Sequence, residues 1–171
     1  AATANNTAIN VTRYGNVLFS RGSVIPYFIQ CAKRGDPLRV TEPGMTRFLL
    51  PLADATTLVE RALFSQESGN LYVMKSSAAT VQTIANAIRN NVNPEAGVDV
   101  VGFRPGEKMH ETLLTEEEIA CSVEEGDCFK SNPRLRNPQR GKAYTSDKTE
   151  RLDEVGLWKL LTQQSELKEL L

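Results

Sequence analysis

The sequence predicts an α/β fold, and three observations carry that prediction. Short β-branched or aromatic runs alternate with longer runs whose apolar residues recur every three or four positions. Gly35, Pro37 and Pro43-Gly44 punctuate the boundaries between them. The 171 residues are 40% hydrophobic and 24% charged, a balance that lets a chain bury a sizeable core.

Residues 9–17 begin with alternating apolar positions and read as a strand. Residues 24–34 carry an apolar helical run that Gly35 ends. After Pro37, residues 38–41 form a short β-rich run; Pro43-Gly44 marks a turn, and residues 47–52 are extended. Asp54 is placed to cap a helix with Ala55, Leu58, Val59, Ala62 and Leu63 on one face. Residues 71–74 are the next strand, and Thr80 caps a helix whose apolar positions are Val81, Ile84, Ala85 and Ile88. Residues 98–103 form another strand. The acidic run Glu116-Glu117-Glu118 favours a helix start by complementing its dipole. From 131 to 145 the Asn, Pro, Arg, Lys and Gly content predicts a loop, and residues 152–171 form a leucine-spaced amphipathic end of one or two helices.

The formal net charge of −1 excludes a global field that recruits nucleic acid or an anionic membrane, so any anion site must be local. No apolar run approaches the roughly 20 residues needed to span a bilayer, and AATANNTAIN lacks the basic and apolar regions of a signal peptide. Cys31, Cys121 and Cys128 lack the close pairing of zinc or redox sites. Cys31 sits in an apolar helical run and reads as a core residue. A reduced, cytoplasmic setting is expected.

The stretch VTRYGNVLFSRGSVIP runs from a strand through a small-residue turn into a helix start. Backbone N–H groups at such a start point outward and carry partial positive charge, which suits an anion. Three arginine-centred turns lie at strand ends: Arg13 to Ser23, Met45-Thr46-Arg47-Phe48, and Arg104-Pro105-Gly106-Glu107-Lys108. Arginine binds phosphate oxygens through paired, charge-assisted bonds. Glu107 adds an acceptor suited to a vicinal diol such as a ribose, so the set describes a nucleoside diphosphate. A single surface arginine is more often a solvated charge than a ligand; three at strand ends, one beside a Gly-Glu pair, set a shared ligand against that reading.

RYGNVLFSRGSVIPYF, PLRVTEPGMTRFLLPL and VGFRPGEKMHETLL resemble the C-terminal half of the UDP-N-acetylglucosamine 4,6-dehydratase/epimerase family. These are extended short-chain dehydrogenases of bacterial polysaccharide biosynthesis, and the closing YTSDKTERL is similar to that family's tail. The resemblance implies the C-terminal part of such an enzyme, with the end of the Rossmann sheet and the substrate-binding lobe. It assigns residues 1–131 to a sugar-nucleotide-binding α/β lobe, 132–145 to a loop or linker, and 146–171 to a helical tail.

It further implies that Asn16 approaches the substrate diphosphate and sugar, and that Ser23, Val24, Ile25 and Pro26 present the helix start to it. Arg47 and Arg104 would bind phosphate and Glu107 would hold the ribose. The family reaction removes water from a UDP-N-acetylhexosamine, with NADP passing a hydride from C4 toward C6, and often epimerises C5. NADP belongs to the complete enzyme and is not expected to bind this chain alone.

The chain departs from the family in having no G-x-G-x-x-G fingerprint and no acid/base element, so no catalytic or metal-binding residue is assigned. Tyr144-Thr-Ser-Asp-Lys148 has the spacing of a catalytic Tyr-Lys pair but lies in the tail, and is not assigned a catalytic role. His110 has no visible nucleophile or metal partner and reads as a packing residue, as do Tyr14, Tyr27 and Phe48.

Two readings of function follow. The chain is the substrate-binding portion of a dehydratase/epimerase, inactive alone and completed by an N-terminal Rossmann portion or a partner chain. Otherwise it is a standalone, non-catalytic sugar-nucleotide-binding or interaction module. A UDP-sugar is the expected ligand in both, a homo-oligomer is expected, and nucleic acid and membrane insertion are not.

Overall fold

Gly15 divides the first predicted strand in two. The computed structural model describes residues 7–135 and 141–171. Residues 9–17 form β1 (Val11–Arg13) and β2 (Asn16–Val17) in place of one continuous run. The cause is steric: a Cβ added at Gly15 would collide with the Cβ of Phe48, a side chain wholly removed from solvent. Glycine lets the chain pass that close, and the two halves join different sheets.

Helix α1 (Val24–Arg34) matches its predicted limits at both ends. Ser23 holds the N-cap position, and Gly35, at φ 74°, closes the helix by donating to the carbonyls of Cys31 and Ala32. Ile25, Phe28, Ile29 and Ala32 face the core, and Lys33 and Arg34 oppose the partial negative charge of the last turn.

β3 (Leu38–Val40) and β4 (Thr46–Leu50) follow. Helix α2 (Leu52–Phe64) starts earlier than expected: Pro51 holds the N-cap position and Asp54 lies inside the first turn. Asp54 therefore favours the helix through its charge and not as a cap. Its predicted apolar face is only partly used. Ala55, Leu58 and Ala62 are buried, whereas Val59 is 45% and Leu63 72% exposed.

β5 (Leu71–Met74) is as predicted. β6 (Ser77–Thr80) carries no strand pattern of its own and is a strand because its backbone pairs antiparallel with β4. Helix α3 (Val81–Val92) begins on Thr80, whose hydroxyl accepts the Thr83 N–H at 3.0 Å, as the sequence predicts. β7 (Val98–Val100) stops short of Phe103, and Gly102, at φ 83°, turns the chain away. The remaining elements are β8 (Thr112–Leu114), α4 (Glu116–Ala120), β9 (Ser122–Glu125), β10 (Cys128–Ser131), β11 (Tyr144–Thr145), α5 (Glu154–Thr162) and α6 (Ser165–Leu170). The expected 131–145 loop is thus flanked by β10 and β11, and its residues 136–140 lie outside the described residues.

The acidic run opens α4 with a capping box: Thr115 and Glu118 each bond the other's backbone N–H. Glu118 also receives the Arg13 guanidinium at 2.8 and 3.0 Å, while Arg13 donates to the Leu113 carbonyl at 2.7 Å. Arg13 therefore ties β1 to α4 and is not turned toward the anion site that its sequence neighbourhood suggests.

The bond from Arg13 holds the Glu118 carboxyl below the usual carboxylate range. A group whose folded-state value is lowered adds stability above the ordinary glutamate range and loses it as pH falls through the lower folded value. Glu118→Gln is expected to remove that part of the acid sensitivity. Because the pair is partly solvated, its share is roughly 0.2–1 kcal/mol. Urea unfolding of both proteins at neutral pH and at pH values spanning the carboxylate range checks this, and parallel pH profiles would exclude a contribution.

β1, β5, β10 and β9 form a four-stranded sheet in that order, with β1 parallel and β10 antiparallel to β5. β2, β4 and β6 form a second sheet, and β3–β7 and β8–β11 are two-stranded pairs. The largest core cluster joins Phe28 and Ile29 of α1, Leu38 of β3, Ile84 and Ile88 of α3, and Leu157 and Leu161 of α5. Cys31 belongs to it, and all three cysteines are free. Leu50, Leu58, Tyr72 and Cys128 pack in a second cluster, and Phe48, Val73, Leu113 and Leu114 in a third. Among the described residues, no helix is long and apolar enough to cross a membrane and no cluster of His, Cys, Asp or Glu could hold a metal ion.

Candidate functional site

The start of α1, strands β3 and β4, and the loop after β7 converge on a cavity of about 540 Å³. Ser23, Val24, Pro26, Arg47, Arg104 and Glu107 are on its walls. A smaller cavity of about 160 Å³ is lined by Asn16 and Ile25 together with Ser23, Val24 and Arg47. The two adjoin at the three residues they share. All eight residues singled out from the sequence therefore lie around one pair of cavities.

Local chemistry explains the shape. In Arg104-Pro105-Gly106-Glu107 the Glu107 N–H donates to the Arg104 carbonyl at 3.1 Å, and Gly106 has φ 83°. Proline second and glycine third suit a type II turn, which needs a positive φ at its third residue. The Glu107 carboxylate also accepts from the Arg104 N–H at 3.4 Å. One tight loop thus presents a cation and an acceptor side by side.

Arg47 is held before any ligand arrives. Its Nη1 donates to the Thr46 carbonyl at 2.8 Å, its Nε lies 3.8 Å from a Glu111 oxygen, and only 16% of its side chain is exposed. The Ser23 hydroxyl is buried, makes no cap bond to α1 and has no hydrogen-bond partner among the described residues. Val24 and Ile25 supply first-turn N–H groups with no partner inside the helix. The expectation that the whole of Ser23 to Pro26 donates needs correcting. Pro26 has no N–H, and the Ser23 N–H is taken by the Ser20 carbonyl at 3.0 Å.

The structure adds Tyr27, Gln30, Arg39 and Thr41 to the larger cavity. Tyr27 is 41% exposed, so of the three aromatics expected to pack around the turns only Phe48 is fully buried. The three-residue spacing of Tyr27 and Gln30 on the outer face of α1 was a legible sign. So was Arg39, which interrupts the apolar pair Leu38 and Val40. The Tyr27 phenol is kept protonated above its ordinary range by a hydrogen bond with Cys31 and by burial, against the opposing pull of Arg39 and Arg104. Arg39, Arg47 and Arg104 set against Glu107 leave the cavity net positive, as an anionic ligand requires.

Comparison with known proteins gives the family. Residues 1–133 match the model of the polysaccharide biosynthesis protein family. The chain belongs to that family. UDP-glucose 4-epimerase of Rickettsia canadensis (strain McKiel) is 42% identical over 126 residues, covering 74% of this chain and 37% of that protein. The same-named protein of Rickettsia prowazekii (strain Madrid E) is 41% identical over 124 residues, 72% of this chain and 36% of its own length.

Among solved structures, Pen from Bacillus thuringiensis superposes with a TM-score of 0.82 at 30% identity, over 92% of this chain and 49% of that one. DesIV, a dTDP-glucose 4,6-dehydratase of Streptomyces venezuelae solved with NAD and TYD bound, has a TM-score of 0.52 at 17% identity over 58% of this chain and 33% of that one, a likeness of fold alone. The chain is thus a mixed α/β protein whose fold matches part of these epimerase and dehydratase structures. It spans a little over a third of the length of these curated relatives and about half of Pen.

His110 and Tyr144, left outside the site by the sequence, have structural partners. Thr46 Oγ1 lies 2.8 Å from His110 Nδ1 and 2.6 Å from Ser146 Oγ, a network that pins the Arg104 loop and the tail to β4. The Tyr144 hydroxyl donates to the Ser76 carbonyl at 3.0 Å and accepts the Ser76 N–H at 2.8 Å, and its ring packs between Phe48 and Phe129.

The entries to helices α2 and α3 lack the features of a dinucleotide-binding turn. Helix α2 is entered through Leu50-Pro51-Leu52, which has no glycine for close approach and a proline without an N–H. Helix α3 starts on a Thr80 hydroxyl that already bonds its first turn. Neither strand-to-helix turn can cradle a dinucleotide pyrophosphate in the manner of the glycine-rich loop.

Proposed function

We propose that this chain is the substrate-binding portion of an NAD(P)-dependent UDP-N-acetylhexosamine 4,6-dehydratase/epimerase of surface polysaccharide biosynthesis. The observation that carries the reading is the pair of cavities meeting at Ser23, Val24 and Arg47, with Arg104 and Glu107 in the larger and Asn16 in the smaller. The pyrophosphate lies at the junction, between the first N–H groups of α1 and the guanidinium groups of Arg47 and Arg104. The nucleoside extends into the larger cavity, where Glu107 accepts from the ribose hydroxyls. The sugar points into the smaller one, beside Asn16. In this arrangement the chain's own residues grip and orient the substrate. NADP supplies hydride exchange to the complete enzyme, and its site is not assigned to these residues.

An unused edge supports the expectation of further polypeptide beside this lobe. Among the described strands β1 pairs only with β5, and Ile9 and Val11 are 50% and 56% exposed. An exposed edge beside apolar surface invites a preceding segment, a partner chain or a second copy. The second reading, a standalone binding module, is favoured by the lack of a G-x-G-x-x-G fingerprint in the 171 residues.

Calorimetric titration of the 171-residue chain with UDP and with pyrophosphate tests the shared premise. Both are expected to bind, UDP more tightly. Binding of neither would overturn the site. The chain with UDP-N-acetylglucosamine and NADP is expected to yield no 4-keto product, and steady turnover would overturn its purely substrate-binding role.

A further inference from the structure

We propose that Arg39 selects the nucleobase, donating to the carbonyl oxygen at position 4 of a uracil ring; this rests on the sugar-nucleotide reading above. Arg39 occupies the centre of β3, between Leu38 and Val40, both with no solvent exposure. Side chains alternate across a strand, so burial of those two fixes Arg39 on the opposite face, where it forms part of the wall of the larger cavity. Its register partner on β7 is Asp99, yet no ion pair forms between them, and the Arg39 guanidinium has no hydrogen-bond partner among the described residues. The group is fixed at its base and uncommitted at its tip.

The rest of the cavity leaves one part of a nucleotide for it. The phosphates have Arg47, Arg104 and the α1 start, and the ribose has Glu107. Arg39 shares its wall with Tyr27 and Gln30, which stand three residues apart on α1. Arg104 and Tyr27 line the same cavity as Arg39. A half-exposed aromatic ring gives a planar base a surface to lie on. A uracil edge presents two carbonyl acceptors flanking one N–H. A guanidinium fork supplies donors for such oxygens, and the Gln30 amide supplies both a donor and an acceptor. Cytosine replaces the oxygen at position 4 with an amino donor, which would face the arginine donors with no acceptor between them.

The test is calorimetric titration of the 171-residue chain, Arg39→Leu and Arg39→Lys with UDP, CDP and pyrophosphate. The unmutated chain is expected to prefer UDP over CDP by about tenfold or more, within the range set by the cost of leaving a polar group unsatisfied. Arg39→Leu is expected to close that gap by losing UDP affinity while pyrophosphate binding stays within about twofold, and Arg39→Lys, which keeps a donor but not the fork, to fall between. Because Arg39 lies on an exposed strand face, unchanged thermal unfolding of the variants verifies that they fold. Equal losses for UDP, CDP and pyrophosphate would make Arg39 a phosphate ligand and overturn the proposal, as would an unchanged UDP preference in Arg39→Leu. Failure of the unmutated chain to bind UDP or pyrophosphate would instead overturn the sugar-nucleotide reading itself, and Arg39 with it.

Discussion

Arg104→Ala is expected to weaken UDP binding by roughly 1.5–3 kcal/mol, the scale of a hydrogen bond to a charged group. The effect should shrink as salt rises, because Arg104 is exposed and its field is screened. Pyrophosphate should lose affinity along with UDP, since the proposed contact is to phosphate. Glu107→Gln is the companion variant. The amide keeps an acceptor for the Arg104 N–H at 3.4 Å, so the tight turn survives, but it is a poorer acceptor for ribose hydroxyls. UDP should weaken and pyrophosphate should not. Calorimetry of both variants with both ligands separates a nucleotide site from a generic anion patch. Equal losses of UDP and pyrophosphate in Glu107→Gln would remove the ribose assignment, and an unaffected Arg104→Ala would remove the phosphate assignment.

Leu157→Ala is expected to lower unfolding stability by about 2–5 kcal/mol, the range for truncating a fully buried leucine. Leu157 has no solvent exposure and sits with Leu161 among Phe28, Ile84 and Ile88, so α5 completes the core on which α1 and α3 rest. A loss of that size is a large fraction of the 5–15 kcal/mol typical of a domain. Val155, on the same helix but 78% exposed, is the control, and Val155→Ala should shift stability by less than about 0.5 kcal/mol. Urea unfolding of the two variants decides the matter. If Leu157→Ala matched Val155→Ala, the tail would not be part of the cooperative core. Because α1 carries Ser23, Val24 and Tyr27, weakening its support should also loosen the larger cavity and reduce UDP affinity.

Elements with a local cause were legible. Helix α1 could be delimited because an apolar period, a basic last turn and Gly35 all agree. Helix α3 could be placed because the Thr80 hydroxyl has a short-range partner in Thr83. The Arg104–Glu107 turn could be read because proline and glycine fix its backbone. Elements with a distant cause were not. β6 has the unremarkable sequence Ser-Ala-Ala-Thr and exists through pairing with β4, and the β9–β10 hairpin is held against β5. The first strand seemed continuous until Phe48, far along the chain, forced a break at Gly15.

The sequence by itself determined the chemical capacities from which the site is proposed. The α1 start, Arg47, Arg104 and Glu107 could be read as anion donors and a diol acceptor, because donor and acceptor capacity belongs to each side chain wherever it lies. Asn16 joined them through the family resemblance. Only the tertiary structure decided which of these groups meet and which are spent elsewhere. Arg13 looked equivalent to Arg47 and Arg104, yet Glu118 reaches it across more than a hundred residues and takes it out of the site. Tyr27 looked like a packing ring and Arg39 had no role assigned, yet β3 and α1 bring them to the same cavity wall. Chemical capacity is local to the residue, whereas commitment depends on which partner the folded chain brings within bonding distance.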